Sequence, residues 1–130
     1  MGVVARGVYA LIGRPMRLSD AVLATYPELN GARWRRGGLP VRVGGWCLGQ
    51  STVSAITFWR TIWIAPHVEP GVELLLHEFR HVEQFGSDPL FPFRYLWQSV
   101  RYGYVNNRFE QDARAYASAR VRDSHPERMV

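Results

Sequence analysis

The chain has no lysine: all sixteen basic residues among its 130 are arginine. They outnumber the acids and give a formal charge of +5. Arg33, Arg35 and Arg36 form one local cluster, and Arg114, Arg120 and Arg122 another. A basic balance can attract nucleic acid, but no nucleic-acid motif accompanies it, so the charge is read as a solvated surface. Cysteine is nearly absent. Cys47 stands alone, which excludes an internal disulfide and a disulfide-dependent scaffold. No run of about eighteen apolar residues occurs, so no membrane span is expected. Met1 to Leu11 is interrupted by Arg6 and lacks the features of a secretory signal, which points to a cytoplasmic protein. Repeats and low-complexity segments are also missing.

What is present is a globular composition, 47% hydrophobic and 21% charged, of a length that suits one domain over residues 1–130. Two N-terminal helices are expected within residues 1–30: Val3 to Ile12, then a helix started by Ser19 and Asp20 that stops near Tyr26 before Pro27. Asn30-Gly31 reads as a turn. Val41 and Val43 alternate about Arg42, with turns or bulges at Gly37, Gly38, Gly44, Gly45 and Gly49, and Thr52 to Ala65 is rich in strand formers. Ile56 to Ile64 reads as one long strand or a tight hairpin. Helices are then expected from Pro70 to Phe85, from Phe93 to Tyr102 and from an Asn106 or Asn107 cap to Arg122, with a frayed tail over 123–130. Helices, a small sheet, then three helices give an α+β domain.

Residues 77 to 81 read His-Glu-Phe-Arg-His, an H-E-x-x-H motif. On a helix, His77 and His81 lie one turn apart on nearly the same face and can bind one Zn²⁺. Glu78 falls beside them, where its carboxylate can take a proton from a water activated by the metal. Random order would give this pattern in roughly one such chain in two hundred. The helical pattern adds weight: Val72, Leu75, Leu76, Phe79 and Val82 form a core stripe, and the two histidines border it.

A catalytic zinc takes three protein ligands and a water. Gln84 and Ser87 stand where the metzincin pattern has Gly and His, so that pattern is rejected. Glu110 is the leading third ligand, with Asp88, Asp112 and His125 behind it. Glu110 also stands three residues after Asn107, which reads equally as a capping box.

These residues resemble the gluzincins, zinc peptidases with H-E-x-x-H and a Glu ligand on a following helix. More closely, roughly Ser54 to Tyr116 is similar to the small bacterial H-E-x-x-H domains found in core proteins of extracellular contractile injection systems. Ala55-Ile56-Thr57 to Ile64, Leu75 to Gln84 with its His-Glu-x-x-His-x-x-Gln, and Asn107 to Ala113 carry the likeness. It implies a minimal zincin-like fold, zinc held by His77, His81 and Glu110, and Glu78 as general base. It also implies an edge strand that pairs with an extended peptide, a role that Ile56 to Ile64 would fill. Two departures stand out. Arg114 occupies the place of an acidic residue in larger gluzincins, and the chain has little room for their second subdomain.

Tyr102, Tyr104 and Arg101 are candidates for oxyanion or substrate contacts, set against plain packing and a solvated arginine. Asp112 is a candidate to orient a histidine ligand. His67 reads as a loop residue and Cys47 as a small buried hydrophobe. The function expected is zinc-dependent hydrolysis of a peptide or protein substrate. The alternative is a catalytically inactive, zinc-stabilised protein-binding module.

Overall fold

The computed structural model describes residues 2–38, 40–41 and 54–125. Val41, expected in β-structure, is helical; the rest of that segment at Arg42 and Val43, the glycines at 44, 45 and 49, Cys47, Thr52 and the tail beyond His125 lie outside the described residues. The fold is α+β, in two compact units, residues 1–69 and 70–130.

In the first unit, α1 spans Val3–Ile12 as expected and ends at Gly13, whose φ of 76° is left-handed. A Cβ on Gly13 would lie 2.7 Å from the Gly37 carbonyl oxygen, so both its φ and the close approach require glycine. The terminal Ile12 carbonyl accepts from Arg35 Nε at 2.7 Å and Trp63 Nε1 at 2.9 Å, which satisfies a helix end that lacks intrahelical donors. Ser19 caps α2 (Asp20–Thr25) by accepting from the Val22 N–H. Pro27 then opens a 3₁₀ turn over Pro27–Gly31.

Four short strands form a mixed sheet: β1 (Arg14–Pro15), β2 (Arg33–Arg36), β3 (Ala55–Phe58) and β4 (Thr61–Ile64), in the order β1-β2-β4-β3. β2 and β4 are parallel, with Trp34 opposite Ile62 and Arg36 opposite Ile64. Ile62 and Ile64 alternate with half-buried Thr61 and Trp63 and are fully buried. The buried Trp34 indole donates to the Leu29 carbonyl at 2.8 Å. Ile56 to Ile64 is thus a hairpin, not one strand. It turns at Trp59-Arg60, where Trp59 takes the positive φ, 56°, that tight hairpin turns use. Trp59 is half exposed, and among the described residues β3 is an edge strand.

Among the described residues the second unit has three helices. α3 spans Val72–Ser87, with Gly71 as its extended N-cap. Pro70 therefore precedes the cap and is not the first helical residue, and Gly86 and Ser87 continue the helix before Asp88 ends it. α4 spans Phe91–Tyr102 and starts two residues earlier than expected: Pro92 lies in the first turn, where its missing N–H costs nothing. Asp88 Oδ1 accepts from the Leu90 N–H, and Gly103 closes α4 at φ 83°. α5 spans Arg108–Ser124 behind an Asn107 cap, so Asp123 and Ser124 are helical and not frayed. Leu75, Leu76, Phe79 and Val82 of α3 are buried, as are Ala113 and Ala117 of α5. The alanines let α3 and α5 pack closely, the main helix contact of this unit. Phe91 joins all three helices, with ring centroids 4.6 Å from Phe85 and 5.0 Å from Phe109.

Candidate metal centre

The helical periodicity of α3 puts His77 and His81 on one face, ring centroids 5.1 Å apart. α5 brings Glu110 to them. Its Oε2 lies 2.8 Å from His77 Nε2, and its Oε1 lies 3.0 Å from His81 Nε2. The three ligand atoms all lie within 4.8 Å of one another. His81 and Glu110 are buried, and His77 is nearly so. Glu78 is also buried, close enough for its charge to act on His81, Tyr95 and Tyr104.

The capping-box reading of Glu110 does not survive. Asn107 Oδ1 caps α5 by accepting from the Phe109 N–H at 2.9 Å, and its amide donates to the Tyr95 carbonyl and Ser99 Oγ. Asn107 thus ties the start of α5 to α4, while both Glu110 oxygens turn to the histidines.

Burial opposes the Glu110 charge. Bonds from His77, His81 and Tyr95 and the His81 charge outweigh it and hold the carboxyl well below the usual carboxylate range. Burial likewise opposes protonation of His81. The bond to Glu110 and the charges of Glu78 and Glu110 win, and the His81 pKa is pushed up to about 9.

A polar chain fixes the His81 ring. Gln84 Nε2 donates to the Phe109 carbonyl and to Asp112 Oδ2, both at 3.0 Å. Its Oε1 is therefore the atom that faces His81 Nδ1 at 2.8 Å, so Nδ1 carries the proton and a neutral His81 presents Nε2 as its lone pair. Asp112 is itself held by Arg80 at 2.8 Å, and that bond keeps its carboxyl below the ordinary range. Asp112 thus acts on His81 one residue further out than expected.

Tyr104 lies near the cluster but is 37% exposed. Burial of its hydroxyl first, then the Glu110 and Glu78 charges, push its pKa up. Tyr95, not singled out in the sequence, donates its hydroxyl to Glu110 Oε1 at 2.7 Å. Its only sequence signal was its place four residues after Phe91 on the inner face of α4. Arg101 and Tyr102 do not join: both are exposed, and the guanidinium lies 5.3 Å above the Tyr102 ring. Asp88 pairs with Arg94 and accepts from the Leu90 N–H ahead of α4, and His125 sits at the C-cap of α5. Among the described residues neither joins the ligand group. Arg114 donates to the Val105 carbonyl at 2.6 Å, and its charge also acts on Tyr104. His67 is exposed in its loop.

Two imidazoles and a carboxylate are an ordinary donor set for zinc. Zinc bonds of about 2.0–2.2 Å set tetrahedral ligand atoms roughly 3.3–3.6 Å apart. The two imidazole–carboxylate contacts, at 2.8 and 3.0 Å, need to lengthen by under about 1 Å to reach that spacing. No protein-family model matches the chain, and no curated protein or solved structure matches it.

Proposed function

We propose that the chain is a zinc-dependent hydrolase of gluzincin type that cleaves peptide bonds. The convergence of His77, His81 and Glu110 donor atoms, with Glu78 buried one residue from a ligand, carries this reading. When bound, zinc would supply Lewis acidity and lower the pKa of a water toward about 7. His77 and His81 would hold it through their imidazoles, and Glu110 through its carboxylate. Gln84 keeps the His81 proton on Nδ1. Glu78 accepts a proton from the attacking water and returns it to the leaving amine. Tyr104 stays protonated and is the candidate donor to the developing oxyanion. The test is cleavage of a library of quenched fluorescent peptides by zinc-loaded protein. Wild type should cleave and Glu78→Gln should not, while both retain zinc. Cleavage by Glu78→Gln at the wild-type rate would refute the role of Glu78.

A second reading is a structural zinc in a protein-binding module. The low exposure of the three ligands and the Tyr95 hydroxyl against Glu110 favour it, because together they can close the site to solvent. Zinc binding with no turnover on any peptide would select it.

A further inference from the structure

α4 faces the wrong way for a helix of a globular domain. Its docked face carries Phe91, Tyr95 and Ser99, which contact Phe85, Glu110 and Asn107. Its outward face carries Phe93, Leu96, Trp97 and Val100, spaced i, i+3, i+4, i+7, and these are 61–76% exposed. The strip is about 12 Å long. Its area is on the order of several hundred Å², the size that marks an interaction surface.

The charge around the strip is net positive. From Asp88 to Phe109 the chain has one acidic residue, Asp88, whose partly exposed ion pair with Arg94 spans 3.1 Å, and three exposed arginines, Arg94, Arg101 and Arg108. Arg94 and Arg101 are seven apart and run along one flank of the apolar stripe. The single acid on this flank, Asp88, forms a solvent-exposed pair with Arg94 that is weak enough for the guanidinium to exchange it for another anion. A helix with aromatic and aliphatic residues on one side and arginines along its edge lies in the boundary of a bilayer, with guanidinium groups reaching back to the headgroups. Among the described residues no helix is long and apolar enough to cross a membrane, which leaves α4 a surface-lying role.

We infer that the outer face of α4 docks on an anionic lipid surface: Phe93, Leu96, Trp97 and Val100 enter the acyl boundary, and Arg94 and Arg101 meet anionic headgroups. This face is separate from the metal ligands, so the inference stands whether or not the zinc reading holds.

Flotation of the full chain with vesicles of phosphatidylcholine, with and without about 30% phosphatidylserine, tests it. Binding should require phosphatidylserine and weaken with salt. Arg94→Gln and Arg101→Gln should each lower the partition coefficient about fivefold. Trp97→Glu and Phe93→Glu should abolish binding while far-ultraviolet circular dichroism stays at wild type, since both residues are exposed. Val4→Glu, on the apolar helix α1, should bind as wild type. No binding of wild type to anionic vesicles would overturn the proposal, as would binding lost in Val4→Glu and kept in Trp97→Glu. A concentration-dependent dimer lost in Trp97→Glu, without vesicle binding, would assign the face to a second copy of the chain and refute the lipid.

Discussion

Replacing Glu110 separates a ligand from a helix cap. A capping glutamate would contribute on the order of 1 kcal/mol and leave zinc affinity unchanged. In the structure Asn107 caps α5 without it, and Glu110 is 2% exposed with polar groups on both oxygens. Glu110→Ala strands the buried His81 imidazole and Tyr95 hydroxyl, and breaking a buried charged pair costs about 3–5 kcal/mol. Glu110→Gln keeps the volume and an acceptor for Tyr95, and is the better variant for metal binding. Loss of an outer partner of a metal ligand costs 10–100-fold in affinity, so loss of the ligand itself should cost at least about a hundredfold. Zinc titration against a competing chelator measures this, with Asp88→Ala as control. Asp88 lies at the end of α3, bonds the Leu90 N–H and Arg94 and is outside the ligand group, so that variant should bind as wild type. Zinc affinity of Glu110→Gln within about threefold of wild type would refute Glu110 as a ligand.

Gln84→Leu should weaken zinc about 10–100-fold by releasing His81 Nδ1, and Asp112→Ala should weaken it less; equal affinities in both variants and wild type would remove the Gln84 role. The raised His81 pKa favours the folded, metal-free protein fully below about 6.5, and that contribution is lost as pH passes about 9. Metal-free protein should therefore melt lower at pH 9.5 than at pH 6.5, and calorimetry in two buffers should show about one proton released per zinc at pH 7.5. Zinc at a hundred times its dissociation constant should stabilise the fold by about 2.7 kcal/mol, read as a thermal shift. Leu76→Ala, at a fully buried site in α3, should cost about 2–5 kcal/mol in urea unfolding without displacing the ligands.

The sequence showed most clearly what local chemistry controls. The one-turn spacing of His77 and His81, the Ser19 and Asn107 caps and the Gly103 stop each depend on a few neighbouring residues. Glu110 stood evenly between cap and ligand because the choice turns on α5 packing against α3, thirty-three residues away. Tyr95 was unreadable for the same reason: an aromatic on an amphipathic helix gives no sign of which carboxylate its hydroxyl will reach. β2 was hidden by composition. Arg33, Arg35 and Arg36 look like a solvated cluster, yet Trp34 turns inward and the arginines fill a strand. Asp112 was tied to a histidine in the right region, but Gln84 was read only as part of the His-Glu-x-x-His-x-x-Gln pattern and as a departure from the metzincins, with no sign that it bridges the two.

X-ray absorption at the zinc edge, on protein loaded with one equivalent of zinc, measures the coordination directly. We predict two imidazoles, one carboxylate oxygen and one solvent oxygen at about 2.0–2.2 Å, with the carboxylate contribution absent in Glu110→Gln and the solvent oxygen exchangeable by azide. A spectrum unchanged by Glu110→Gln, or a fourth protein oxygen lost in Tyr95→Phe or Tyr104→Phe, would contradict an open, three-ligand catalytic site.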